Sequence, residues 1–262
     1  MREWISGRNA VYEVLRAGRR RVFRLWVAQG VQEKGRLLEI LRLSEAAAVP
    51  IEWVERSRLD ALDPDHQGVA LQVSEYPYST LFDVLSLVEQ RQEPPFVLIL
   101  DLLQDPQNLG ALLRSAEAVG VHGVLLPLRR TATVTPTVVK VSSGASEHLL
   151  ICQCNLVQAI ALLKDAGLWV IGLENAPDAH YPHQVQLDGA LALVVGSEGQ
   201  GMRPLVRTSC DWVLRLPMRG RVTSLNAAVA GSIALYLAWQ ARGFDLQGCD
   251  DPPQEVDEPK SA

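Results

Sequence analysis

The sequence predicts an α/β protein of two units, a small α/β domain followed by a larger one built on a mostly parallel sheet. Three observations carry this expectation. The chain has 262 residues, more than one compact unit of roughly 100–200 residues requires. Short apolar runs alternate with stretches of helical spacing along most of it, the mark of strand–helix repetition. In the second part those runs are apolar throughout, as expected of strands buried on both faces.

The elements follow in order. In the first unit, residues 1–74, a helix closes at Gly18 and is followed by an apolar run at 22–28. A helical pattern at 34–48 comes next, with Leu37, Leu38, Leu41 and Ala48 near helical spacing, then strand-like runs at 51–54 and 69–73. Residues 75–95 read as a linker with one helix at 80–90, closed by Glu93-Pro94-Pro95, because proline cannot donate the hydrogen bond that would continue it. The second unit, 96–244, opens with Phe96-Val97-Leu98-Ile99-Leu100. Further strand-like runs lie at 123–126, 168–173, 190–195 and 212–216, with helical patterns at 109–119, 156–166 and 225–242 between them. The end of the chain, 245–262, carries Asp245, Asp250, Asp251, Glu255, Asp257 and Glu258 among prolines and almost no apolar residues, the composition of a disordered acidic tail.

Composition excludes several classes. Hydrophobic residues make up 48% and charged residues 21%, mean hydropathy is +0.06, and no run of about 18 apolar residues could span a bilayer. Met1-Arg2-Glu3-Trp4-Ile5-Ser6-Gly7 lacks the apolar core of a signal peptide, so the expected location is cytoplasmic, without a membrane partner. Cys152, Cys154, Cys210 and Cys249 form neither a CxxC pair nor a disulfide framework, and His66, His122, His148, His180 and His183 are scattered; no metal site is expected. Cys152 and Cys154 read as buried strand thiols.

Net charge is −5, which argues against a nucleic-acid partner until its distribution is considered. Residues 1–60 hold 12 Lys and Arg against 8 Asp and Glu, whereas the remainder holds 13 against 22. Arg16, Arg19, Arg20, Arg21 and Arg24 gather at the turn after Gly18. Such a cluster is either a solvated loop or an edge that contacts RNA phosphates.

Ligands of open α/β sheets sit at the carboxyl ends of the strands, and three loops there combine unusual residues. The first holds Asp105-Pro106-Gln107-Asn108-Leu109-Gly110 and then Arg114. Asn108 is a suitable helix cap, and Gly110 leaves room on the helix face of Arg114, whose guanidinium fork suits a phosphate. The second, Gly196-Ser197-Glu198-Gly199-Gln200-Gly201-Met202, admits a close backbone approach around a glutamate that accepts hydrogen bonds. Its spacing is neither that of a dinucleotide loop nor that of a nucleophile elbow, and a plain turn is the alternative. The third runs from Leu216-Pro217-Met218 to Ser224-Leu225-Asn226-Ala227-Ala228-Val229-Ala230, with Ser224 as the expected helix cap and Asn226 in a first turn for which its helix propensity is poor.

In this order and spacing, the three loops resemble the signature motifs of the SpoU (TrmH) branch of the SPOUT RNA methyltransferases. Residues 4–73 also resemble the ribosomal-protein-like RNA-binding domain of the 23S ribosomal RNA guanosine 2′-O-methyltransferases. The resemblance implies a deep C-terminal trefoil knot, a homodimer with its active site by the interface, and S-adenosyl-L-methionine as methyl donor. It maps the family's catalytic constellation onto Asn108, Arg114, Glu198, Ser224 and Asn226, and its cofactor contacts onto Leu173, Gly196, Leu216, Met218 and Leu225. The substrate it implies is ribosomal RNA rather than DNA, since the 2′-hydroxyl is what distinguishes the two. The alternatives are a transfer RNA guanosine 2′-O-methyltransferase and, from another class, a non-catalytic ribosomal RNA-binding assembly factor. A nicotinamide-dependent enzyme is disfavoured by the glycine spacing.

Overall fold

The computed structural model describes residues 2–244; the acidic tail expected at 245–262, and Cys249 with it, lie outside the described residues. The first unit contains β1 (Arg2–Ser6), α1 (Arg8–Ala17), β2 (Val22–Ala28), α2 (Arg36–Ala46), β3 (Ile51–Val54), α3 (Arg56–Asp60) and β4 (Val69–Ser74). Its sheet has the order β1-β4-β2-β3. Strand β4 runs antiparallel to β1 and β2, while β2 and β3 are parallel. Sequence reading does not anticipate β1. Its short Arg2-Glu3-Trp4-Ile5-Ser6 segment has only a weak pattern and becomes a strand by pairing with β4 from Arg2↔Ser74 to Ser6↔Ala70.

The second unit contains α4 (Leu81–Arg91), β5 (Phe96–Leu100), α5 (Pro106–Ala118), β6 (Gly123–Pro127), α6 (Pro136–Val141), β7 (Leu150–Cys154) and α7 (Leu156–Asp165). After these come β8 (Trp169–Leu173), β9 (Leu191–Val195), α8 (Pro204–Ser209), β10 (Trp212–Leu214) and α9 (Ala227–Ala241). The six strands lie in the order β10-β8-β9-β5-β6-β7 and are parallel throughout. All residues of β5 and β9 are buried, which is why their sequences show no alternation. The order reverses between β5 and β9, and a ligand crevice belongs at the carboxyl ends beside that switch.

Residues 75–95, expected as a linker with one helix, carry α4 and pack against the sheet of the second unit. A capping box between Thr80 and Asp83 starts α4, and the fully buried Val84 joins Val97 and Ile99 in one apolar cluster. Gly123 lets the helix lie against β6, since a Cβ there would meet both Val84 methyls at 2.5 Å. The apolar face of α4 and the Ser79 N–H, donated to the Ile151 carbonyl at 2.8 Å, tie the segment to the sheet.

The structure also reassigns part of the arginine cluster. The Arg20 side chain is fully buried; it donates to the two Glu147 carboxylate oxygens at 2.8 and 3.0 Å and to Glu3 at 2.9 Å. Arg19 donates to the carbonyls of Leu149, Pro77 and Glu147 at 2.6, 3.2 and 3.3 Å. Both arginines therefore hold the first unit to the second and are not available to an RNA backbone, as the sequence expectation required. Linear charge counting missed this because Glu147 lies 127 residues from Arg20. Beside them, burial pushes the Tyr76 hydroxyl up to about 12, and this hydroxyl donates to the Ser146 and Leu149 carbonyls at 2.9 and 3.0 Å. Arg24 is engaged by Gln72 and Glu52 at 3.0 and 3.1 Å. The Arg21 guanidinium lies over Phe23, and Arg16 stays at the surface near Glu13.

Candidate active site

Local capping sets the three loops. Asp105 is the cap of α5: its carboxylate accepts from the N–H groups of Gln107 and Asn108 at 3.1 and 3.4 Å, with Pro106 at the first helical position. This is the arrangement proline favours, and it leaves the Asn108 side chain, expected to be the cap, free for other work. At the other end of the site, β10 stops at Leu214, two residues before the end the sequence suggests, so Leu216 falls in a loop. Asn226, not Ser224, caps α9. Its Oδ1 accepts from Ala228 and Val229 N–H at 2.9 and 3.2 Å, which explains an asparagine at a position unfavourable within a helix.

The freed amide groups meet. Asn226 Nδ2 donates to Asn108 Oδ1 at 2.9 Å and also to Glu198 Oε1. Asn108 Nδ2 donates to the same Glu198 oxygen at 3.1 Å, and the Ala227 N–H reaches it at 3.3 Å. One carboxylate thus joins residues separated by 90 and 28 positions in sequence, locking the starts of α5 and α9 to the loop after β9. Asp101, at the end of β5 and fully buried, secures the far side of that loop by accepting from Arg203 N–H and Nε, both at 2.7 Å.

Beside this junction lies a cavity of about 600 Å³ whose walls include Leu173, Gly196, Glu198, Leu216, Met218, Ser224, Leu225 and Asn226. All five expected cofactor contacts are therefore brought together, along with three of the five expected catalytic residues. The backbone itself forms much of the wall. At Gly196 a Cβ would lie 2.3 Å from the Gly201 carbonyl carbon and 2.5 Å from the Met202 nitrogen, far inside contact distance. Gly196→Ala is accordingly expected to force the loop open and abolish ligand binding, while the sheet below retains its fold; calorimetric titration and far-UV circular dichroism of the same sample check both.

Arg114 is placed elsewhere. It is exposed, donates to Ser143 Oγ at 3.2 Å, and lines a separate recess with Glu13, Arg16, Ser143 and His148. Gly110 does not clear space for it either. A Cβ at Gly110 would sit 2.6 Å from Val141 Cγ1, so the glycine allows α5 to pack closely on α6. Sequence reasoning missed Glu174 and Asn175, which also line the cavity. Glu174 lies 3.2 Å from the Arg207 guanidinium, and Asn175 donates to the Thr223 carbonyl at 2.9 Å. Their position just after β8 is the signal that would have found them.

Residues 95–236 match the SpoU rRNA Methylase family, and residues 4–79 match the domain described as RNA 2'-O ribose methyltransferase substrate binding. The chain belongs to the SpoU family of RNA methyltransferases. A Bacillus subtilis (strain 168) protein named for the TrmH family of tRNA/rRNA methyltransferases, YacO, is 40% identical over 244 residues, covering 92% of this chain and 96% of its own. Two solved structures share the SpoU fold across both units. The AdoMet complex of the SpoU methyltransferase AviRb from Streptomyces viridochromogenes has a TM-score of 0.75 at 22% identity, covering 91% of this chain and 89% of that one. The AdoMet-bound rRNA methyltransferase of Sinorhizobium meliloti has a TM-score of 0.75 at 22% identity, covering 91% and 87%. Among the described residues, no helix is long and apolar enough to cross a membrane, and no group of His, Cys, Asp and Glu is arranged to hold a metal ion.

Proposed function

We propose that this SpoU-family chain methylates the ribose 2′-hydroxyl of a guanosine in 23S ribosomal RNA. The observation that carries this reading is the Asn108–Glu198–Asn226 junction opening on the cavity beside it. A cavity of about 600 Å³ lies within the range of about 300–1,000 Å³ usual for cofactor-sized ligands. Its leucine walls suit the adenine ring of S-adenosyl-L-methionine, and its glycine-lined backbone and polar side chains suit the ribose and the charged methionyl part. Leu173, Gly196, Leu216, Met218 and Leu225 would hold it; when bound, it supplies an electrophilic methyl group. Glu198, Asn108 and Asn226 hold the loops in register, and Ser224, on the cavity wall, faces the incoming nucleotide. Arg114 binds the substrate phosphate and polarises the 2′-hydroxyl, whose proton passes to water because a guanidinium cannot accept it, and positioning supplies much of the rate.

Because Arg114 does not line its own chain's cavity, the site is completed by a second copy in a homodimer. Val229, Ile233 and Tyr236 are 49%, 40% and 45% exposed and recur at i, i+4 and i+7 on α9, beside Ala227 and Ala230 of the cavity wall. An apolar stripe of this kind suits a self-complementary interface. The trefoil path belongs to the same reading. It is supported by residues 215–226 being tied at Thr223 to the loop after β8 and by the start of α9 being tied at Ala227 to the loop after β9.

Ribosomal RNA is favoured over transfer RNA by the separate substrate-binding unit at 4–79. The test is transfer of tritiated methyl groups to 23S fragments and to transfer RNA transcripts, with mapping of the modified nucleotide. Transfer to 23S RNA is the expected result. Methylation of transfer RNA alone would overturn the substrate, and transfer to no RNA would favour the assembly-factor alternative. A cytoplasmic location follows from such a substrate.

A further inference from the structure

Arg19 and Arg20 are committed to the seam between the units, and a second basic surface of the first unit lies on α1, α2 and α3. A recess of about 480 Å³ is lined by Arg8, Asn9, Val31, Arg36, Arg56, Gln67 and Gly68. We infer that this recess binds a phosphate of the substrate RNA strand, through Arg8, Arg36 and Arg56. The inference rests on the RNA methyltransferase reading above and deepens it by assigning the surface that grips the substrate away from the reacting ribose.

Three guanidinium-bearing side chains and no carboxylate line the recess, so its own walls leave a positive site uncompensated. Two of the three arginines have an acidic partner on their own helix. Glu39 accepts from Arg36 at 2.7 Å one turn along α2, and Asp60 lies 4.0 Å from Arg56 one turn along α3. Such exposed pairs are weak and yield readily to a phosphodiester anion. Arg8 and Arg36 also occupy the first positions of α1 and α2, where the helix dipole disfavours a cation and favours an anion. Both helices open on a glycine without a side-chain cap, and the first turn of α1 contains no acid. An anion in the recess offsets both the arginines' mutual repulsion and their placement at the positive helix ends.

Local structure holds the recess open. Arg8 N–H donates to Gln67 Oε1 at 2.8 Å and Arg8 Nε to the Gln67 carbonyl at 3.1 Å, fixing the start of α1 against the loop before β4. Gly68 has φ +87° and a Cβ there would meet Val31 at 2.9 Å, so the floor admits only glycine. Arg36 is steered by stacking over Tyr12, its guanidinium carbon 4.0 Å from the ring centre. The guanidinium fork then meets phosphate oxygens in the bidentate manner for which arginine is suited.

The test uses the full chain and a labelled 23S ribosomal RNA transcript, with binding measured as a function of salt. Arg36→Gln/Arg56→Gln is expected to weaken binding roughly tenfold near 0.15 M salt and to lower the log–log salt slope by about 0.7–0.9, the contribution of one lost phosphate contact. Arg8→Gln adds a further loss. Arg42, exposed on α2 but outside the recess, serves as the control, and Arg42→Gln leaves affinity and slope nearly unchanged. S-adenosylmethionine binding, measured by calorimetry, and the thermal unfolding profile stay at the wild-type values in every variant and report that both units are folded. Unchanged RNA affinity in the double variant, or an equal loss from Arg42→Gln, overturns the site while wild-type methyl transfer leaves the enzyme reading intact. A wild-type chain that neither binds nor methylates RNA overturns both.

Discussion

Replacing Arg114 with alanine is expected to lower methyl transfer by about 10²–10³-fold, the usual cost of removing one donor aimed at a reacting oxygen. S-adenosylmethionine affinity should be unchanged, because Arg114 lies outside the cavity of its own chain. Arg114→Lys should recover little. A lysine keeps the charge but loses the planar fork that the proposed role requires to contact phosphate and hydroxyl together. Single-turnover rates measured with saturating RNA, alongside calorimetric cofactor binding, separate chemistry from binding. Full turnover in the lysine variant would remove the bidentate role, and loss of cofactor binding in the alanine variant would place Arg114 in the cavity after all.

The second large effect concerns stability. Glu147→Ala leaves the Arg20 guanidinium buried beside an empty acceptor, with only Glu3 as a charged partner. Breaking a buried pair from one side costs about 3–5 kcal/mol, which for a chain of this size lowers the thermal midpoint by roughly 10 °C. Arg20→Met/Glu147→Leu removes both charges together and should regain most of that loss, since the desolvation of two ions no longer has to be offset. Thermal unfolding of Arg20→Met, Glu147→Leu and their double variant completes the cycle. A Glu147→Ala variant as stable as the parent would show that the pair does not hold the units together. The same segment carries Ser143, which accepts from Arg114, so loosening it also disturbs the placement of the arginine expected to act on RNA.

The buried strands were legible in the sequence. Phe96–Leu100 and Leu191–Val195 are unbroken apolar segments whose burial on both faces leaves one reading. The three loops were legible for a related reason, since each follows such a strand and contains residues that a turn alone does not require. Partners distant in sequence were not legible. Asn226 reads as misplaced until its Oδ1 is seen capping α9 while its Nδ2 bonds Asn108. Arg19 and Arg20 read as surface charge until the carboxylate and carbonyls around 147–149 come to meet them. Arg8, Arg36 and Arg56 are spread over 49 positions, so no local window reveals that they line one recess.

In the proposed function, this site methylates a ribose oxygen and not a base. The direct measurement is mass spectrometry of RNA methylated in vitro, digested to nucleosides with nuclease and phosphatase. The expected product is 2′-O-methylguanosine, with the methylated linkage resistant to alkaline cleavage because its 2′-oxygen can no longer attack the phosphate. A methyl group on the nucleobase, at an alkali-labile position, would contradict it.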